Sequence, residues 1–130
     1  MMDVFKTVGA VSWTELTTPD PAAAAEFYGK LFGWTFDAMD MGSGPYHVIK
    51  IGDEALGGVM APPPGAPPMP PHWGSYVTVA KCDDTVAQCT ALGGKVLVPA
   101  MDIPQVGRMA VLQDPQGAVI NVISYQAGPA

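Results

Sequence analysis

Positive charge is scarce in this chain: six lysines and arginines face twelve aspartates and glutamates, for a net charge of −6 at pH 7. Such a surface repels phosphate backbones, whose binding depends on cationic side chains releasing condensed counterions, so nucleic acid is excluded as a partner. Long apolar runs are missing too. No stretch approaches the roughly 20 residues needed to cross a bilayer. The opening MMDVFKTVGAV lacks the basic-then-apolar layout of a secretory leader. The reading is a cytoplasmic protein with no membrane partner. Cysteine is limited to Cys82 and Cys89, placed around the start of a predicted helix. Their spacing suits neither a mutual disulfide nor a zinc knuckle. Both read as reduced thiols, with Cys89 packing as a small hydrophobe.

The 130 residues suffice for one real core and not for two independent domains. The 48% hydrophobic content, arranged periodically, outweighs the disorder that 15 glycines and 14 prolines would suggest. The prolines concentrate in residues 61–71, APPPGAPPMPP, where the lack of backbone donors excludes a helix or a central strand. This segment reads as a stiff spacer between two halves rather than a docking motif for aromatic grooves.

The halves repeat one plan: an alternating strand, a helix started by aspartate, a glycine, then hairpin-connected strands. Module 1 spans about residues 9–60 and module 2 about residues 72–125, within a single domain of residues 1–130. In module 1 the predicted strand is residues 10–17, with Asp20 as N-cap and Pro21 at the first helical position. The helix runs to about Leu31 with Ala24, Phe27, Tyr28 and Leu31 inward, and Gly33 closes it. In module 2 the predicted strand is residues 73–80. Asp83 or Asp84 caps a helix with Val86, Cys89 and Leu92 inward, and Gly93-Gly94 ends it. Two hairpins are predicted, one at Gly52-Asp53-Glu54 and a type I turn at Asp114-Pro115-Gln116-Gly117.

Strand parity separates two faces. Val77, Val79, Ile120 and Val122 form the sets that pack under helices. Trp13 and Glu15, then His72, Gly74 and Tyr76, then Val119 and Asn121 face the other way, as a cleft requires.

Two segments, TTPDPAAAAEFYGKLFGW and LQDPQGAVINVI, resemble the first strand-to-helix junction and the final hairpin of the vicinal oxygen chelate superfamily. That superfamily holds glyoxalase I, extradiol dioxygenases, and fosfomycin and bleomycin resistance proteins. DPQGA after GRMAV looks like its bacterial glyoxalase-like subgroup. The resemblance implies an α+β fold of two tandem βαβββ modules, forming a curved mixed sheet with helices on its convex side, and a homodimer. In metal-binding relatives a histidine stands at the position held here by Trp13. The next ligand histidine falls on Gly74, the ligand glutamate on Asn121, and the fourth-strand position within Ala55-Leu56-Gly57-Gly58. None is a good divalent-cation ligand, so no metal and no cofactor are expected, and every metal-using activity of the family is in doubt.

The remaining candidates are few. Glu15 and His72, each displaced two positions on the same face, either rebuild a metal site one step along the sheet or serve as a cleft hydrogen-bond acceptor and a rim residue. Glu15 is also the one catalytic candidate, since a carboxylate in an apolar pocket has a raised pKa and suits acid–base work. His47 reads as a rim or packing residue on its strand and Trp34 as core. Trp13 is singled out for stacking on a ligand, and Arg108 is a candidate contact for an anionic group. Met39, Met41, Met60 and Met101 could give a plastic surface for bulky ligands and are expected mostly as core filler or hydrophobic lining. The expected function is that of a glyoxalase/bleomycin-resistance-like protein binding a small metabolite or drug through Trp13, Glu15, His72, Gly74, Tyr76, Asn121 and Arg108. The alternatives are a metal-dependent lyase, isomerase or dioxygenase with a displaced Glu15/His72 site, a metal-free enzyme using Glu15, and an interaction module with an occluded cleft.

Overall fold

The computed structural model describes residues 2–40, 44–62, 69–103 and 106–126. Met41 and the middle of the proline segment lie outside them. In chain order the elements are β1 (Val11–Thr17), α1 (Pro21–Phe32), β2 (Thr35–Asp40), β3 (Pro45–Ile51) and β4 (Glu54–Met60), then β5 (His72–Thr78), α2 (Cys82–Ala91), β6 (Lys95–Ile103), β7 (Gly107–Gln113) and β8 (Val119–Tyr125). This is βαβββ written twice, an α+β fold.

The chain divides into two compact units. The first is Trp13–Gly74, and the second is Met1–Ser12 with Ser75–Ala130. The first orders its strands β2-β3-β4-β1 and the second β6-β7-β8-β5. In each module the first and last strands pair in parallel and the others antiparallel.

In the first unit, the Asp20 carboxylate accepts the Ala23 backbone N–H at 3.1 Å, and Pro21 opens α1 where its missing donor is harmless. Gly33 ends the helix in the left-handed region at φ 78°, its N–H donating to the Gly29 carbonyl. The core is Leu16, Ile49 and Val59, with Ala24, Tyr28, Trp34 and Phe36 packed against it. Each large aliphatic side chain buried there contributes about 1.5–3 kcal/mol. Phe27 and Leu31 differ from the sequence expectation, being 59% and 57% exposed. The strands touch the narrow stripe of α1 that carries Ala24 and Tyr28; Phe27 lies about 100° round the helix from Tyr28, and Leu31 falls in the last turn, next to the final helical residue Phe32. An aromatic chain runs along this margin, Phe27 against Tyr28, Tyr28 against Phe32, Trp34 and Trp73.

In the second unit the core is Cys82, Ala110, Leu112 and Val122, with Val79, Val86 and Cys89 against it. Neither Asp83 nor Asp84 caps α2. Lys81 is the cap residue, it makes no side-chain cap bond, and both aspartates sit in the first turn. The reason lies across the unit, where the Asp83 carboxylate is taken by Arg108 at 3.1 Å. Leu92, expected inward, is 72% exposed because α2 ends at Ala91 and Leu92 is already its C-cap. The turn at Asp114 forms as the sequence predicts. Gly117 N–H donates to the Asp114 carbonyl at 3.0 Å, and the Asp114 carboxylate accepts the Gln116 and Ala118 N–H groups.

The N-terminal segment is bound to β5. Gly9 N–H donates to the Thr78 carbonyl, Thr78 N–H donates to the Ala10 carbonyl, and Thr78 Oγ1 donates to the Val4 carbonyl at 2.7 Å. Phe5 meets the Tyr125 ring edge-on at 5.1 Å, and the Tyr125 and Ser12 hydroxyls share a hydrogen bond at 2.7 Å. Burial pushes the Tyr125 phenol above its ordinary range, partly offset by the Ser12 bond. A tyrosine whose pKa is raised by folding favours the neutral form. Its contribution is therefore complete below the unfolded value near ~10 and is lost as pH rises through the folded value. Tyr125→Phe is expected to cost about 1 kcal/mol at pH 7, since it strands the buried Ser12 hydroxyl. In urea titrations the wild type should lose more stability than the variant between pH 9 and 11.

Candidate functional site

On β1, Leu16 points to the core beneath α1, so Trp13 and Glu15 share the opposite face by strand alternation. On β3 the same parity puts Tyr46 and Val48 opposite Ile49. These three polar side chains meet. Trp13 Nε1–H donates to Tyr46 Oη at 3.0 Å, and Tyr46 Oη–H donates to Glu15 Oε2 at 2.8 Å. All three are half-buried.

The meeting requires Tyr46 to reach across an entire strand, because β4 lies between β3 and β1. On β4, Gly58 is the register partner of both Glu15 and Val48. A Cβ at Gly58 would overlap the Tyr46 phenol, so the ring occupies the volume that any other residue's side chain would fill. The neighbouring Gly57 has a different constraint. Its register partner is Thr14, and a Cβ there would overlap the Thr14 carbonyl oxygen.

The direction of the hydrogen bonds follows from chemistry. An indole nitrogen can only donate, so Tyr46 Oη accepts from Trp13 and directs its single hydrogen to Glu15. The carboxyl oxygen is held as an acceptor in that bond.

The other sequence candidates fall elsewhere. His72 opens β5 at an exposed position, and its Nδ1 donates to the Pro70 carbonyl at 2.9 Å. Gly74, on the same strand, is half-buried. In the second unit Tyr76 and Asn121 are register partners across β5 and β8, with Tyr76 buried. Arg108 is engaged by two carboxylates, its Nε and Nη2 donating to Asp83 and its Nη1 to Asp102 at 3.0 Å. Those bonds raise its pKa further and compensate its charge. It borders an open cavity of ≈ 420 Å³ with Asp102, Ser124 and Tyr125. Met39 and Met101 are exposed, and His47 pairs with Ala38 and Val59 in the strand register.

The donor set does not suit a divalent ion. Trp13 offers only an N–H, and among the described residues no three His, Cys, Asp or Glu side chains come together to hold a metal. In the second unit burial, then the charge of Asp83, raises the Cys82 thiol, with Arg108 opposing in part, which disfavours its thiolate.

Tyr46 and Gly58 were missed as site residues by sequence reasoning. The available signal was the Gly57-Gly58 pair inside an otherwise ordinary strand, which marks a close approach by something on a neighbouring strand.

A family model described as Glyoxalase/Bleomycin resistance protein/Dioxygenase superfamily matches residues 10–122. The chain is 44% identical over 116 residues to the Mycobacterium tuberculosis protein named "Putative glyoxylase CFP32", covering 88% of this chain and 44% of that protein. It is 33% identical over 127 residues to anthracycline biosynthesis protein DnrV of Streptomyces peucetius, covering 88% of this chain and 46% of the relative. It thus spans somewhat less than half the length of these curated relatives. The solved structure of methylmalonyl-CoA epimerase from Mycobacterium tuberculosis has the same fold, at a TM-score of 0.66 with 14% identity over 98% of this chain and 94% of the other. Among the described residues no helix is long and apolar enough to cross a membrane.

Proposed function

We propose that this chain, which belongs to the Glyoxalase/Bleomycin resistance protein/Dioxygenase superfamily, binds a small organic molecule on the strand face of its first unit that carries Trp13, Tyr46 and Glu15, independently of a metal ion. Members of the superfamily bind small-molecule substrates or ligands. The supporting observation is the hydrogen-bonded Trp13–Tyr46–Glu15 trio, which offers an indole, a phenol and a carboxylate on the face turned away from α1. Half-buried polar groups beside aromatic surface suit a ligand that is part apolar and part polar.

A second reading has one specific support. The bond from Tyr46 to Glu15 orients a carboxylate in the way a general base is oriented, so a metal-free acid–base enzyme would use the same residues. The names of the relatives leave both readings open, one being named a putative glyoxylase and the other an anthracycline biosynthesis protein.

The test is a thermal-shift and tryptophan-fluorescence screen with aromatic metabolites and polyketide-like drugs. A true ligand should quench emission in the wild type and lose at least about tenfold in affinity in Trp13→Ala, the loss of a stacked and hydrogen-bonded partner. Metal analysis of untagged protein supplies the opposing outcome. Stoichiometric zinc, nickel, manganese or iron that disappears in Glu15→Ala would overturn the proposal in favour of the displaced metal site.

A further inference from the structure

We infer that the cavity in the second unit is a further binding site, selective for neutral molecules that carry a carboxamide and against carboxylates and other anions. It is built at the ends of three neighbouring strands, β6, β7 and β8. Asp102, Arg108 and Ser124 are register partners across them and form one row, and Ile103, Gly107 and Tyr125 form the next. Arg108 shares its parity on β7 with Ala110 and Leu112, which are buried in one cluster with Cys82 of α2, so the first row faces the α2 side of the sheet. In the second row Gly107 brings no side chain and can take none, since a Cβ there would overlap the Ser124 carbonyl oxygen. The space these residues border is ≈ 420 Å³, within the range of small-molecule sites.

Arg108 decides what the site accepts. A guanidinium has five N–H donors. Three are used, those of Nε and Nη2 on Asp83 and one of Nη1 on Asp102, so one N–H remains on each terminal nitrogen. Two ion-paired carboxylates surround this single cation, which leaves the cluster net negative and repels an anion whatever the remaining donors offer. Asp102 supplies a matching acceptor: its Oδ1 takes the Nη1 bond, and its Oδ2 takes none among the described residues. An N–H donor beside a carboxylate acceptor is the complement of a carboxamide, whose carbonyl accepts from Arg108 while its own N–H donates to Asp102. Ile103 and the half-buried Tyr125 add apolar surface for a ring attached to that amide.

Benzamide and benzoate, planar molecules of nearly equal size and shape, separate charge from fit. Each is titrated into the isotope-labelled protein at millimolar concentration, and binding is read by NMR from the Arg108 Nε–H and from the Gly107 and Gln126 backbone amides. Benzamide is expected to shift these signals and to bind at least about tenfold more tightly than benzoate. Asp102→Asn, at a side chain 77% exposed, removes the charged acceptor and should weaken benzamide severalfold. Asp83→Asn removes a negative charge beside Arg108 without altering a lining residue and should strengthen benzoate severalfold. Dispersed spectra establish that both variants are folded. Equal or tighter binding of benzoate to the wild type overturns the inference, as does a benzamide affinity untouched in Asp102→Asn or a benzoate affinity untouched in Asp83→Asn. Absence of any benzamide shift at Gly107, Arg108 and Gln126, whether or not the Trp13 indole moves, overturns the site altogether. None of these outcomes bears on the Trp13–Tyr46–Glu15 face, whose screen reads different signals.

Discussion

Gly57→Ala is expected to destabilise the protein by about 3 kcal/mol, roughly 10 °C in Tm, the largest stability effect of any single methyl group in the first unit. The added Cβ would overlap the carbonyl oxygen and crowd the carbonyl carbon of Thr14, both backbone atoms, as well as its methyl group. Backbone cannot rotate away as a side chain can. The two strands can only separate or slip, and β1 is the strand that carries Leu16 into the core and Glu15 to the opposite face. A one-residue slip would exchange those two. Urea denaturation measures the effect. A midpoint within about 0.5 kcal/mol of wild type, within the range of ordinary surface changes, would show that the β1–β4 approach is looser than described.

Gly58→Ala, one residue on, is expected to behave differently. Its Cβ collides with the Tyr46 phenol, which can swing aside, so the stability cost should be smaller, about 1–2 kcal/mol. The loss is concentrated in the site. Once Tyr46 leaves its slot, Trp13 and Glu15 both lose their hydrogen bonds to it, and any ligand affinity that depends on those bonds should fall at least about tenfold. A double-mutant cycle makes the point quantitatively. In a Tyr46→Ala background the same alanine at 58 has nothing to displace, so its cost should nearly vanish, giving a coupling of about 1 kcal/mol or more. Additive effects would mean that the glycine serves the strand and not the tyrosine.

These two glycines also mark the limit of what could be read from the sequence. The repeated βαβββ order, the Asp20 cap, the Gly33 stop and the Asp114 turn were all legible, because each is written in residues adjacent along the chain. So was the face shared by Trp13 and Glu15, which follows from alternation on one strand. What could not be read was lateral reach. Alternation says which way Tyr46 points and not that its ring crosses β4, because that depends on which strand lies beside which and on the two-residue gap in side chains there. The helix faces failed for a related reason. Phe27, Leu31 and Leu92 have the right period, but the width of the buried stripe, which leaves Phe27 out, is set by the partner sheet, and Leu31 and Leu92 fall where their helices end. Asp83 was assigned to a cap because position favoured it, when an arginine 25 residues away had the stronger claim on its carboxylate.

The pairing of first and last strands within each module bears on how the molecule is made. As the ribosome delivers the chain, β1 emerges with its partner in the first unit, β4, still to be synthesised, and the same holds for β5 and β8. An early strand must therefore wait, with its hydrogen-bonding edge open, through a helix and two hairpin strands, and the closing step joins residues some forty positions apart. Each module should lock late and all at once rather than accrete strand by strand, and the waiting edge is where a nascent chain is most open to chaperones and to mispairing with its twin module.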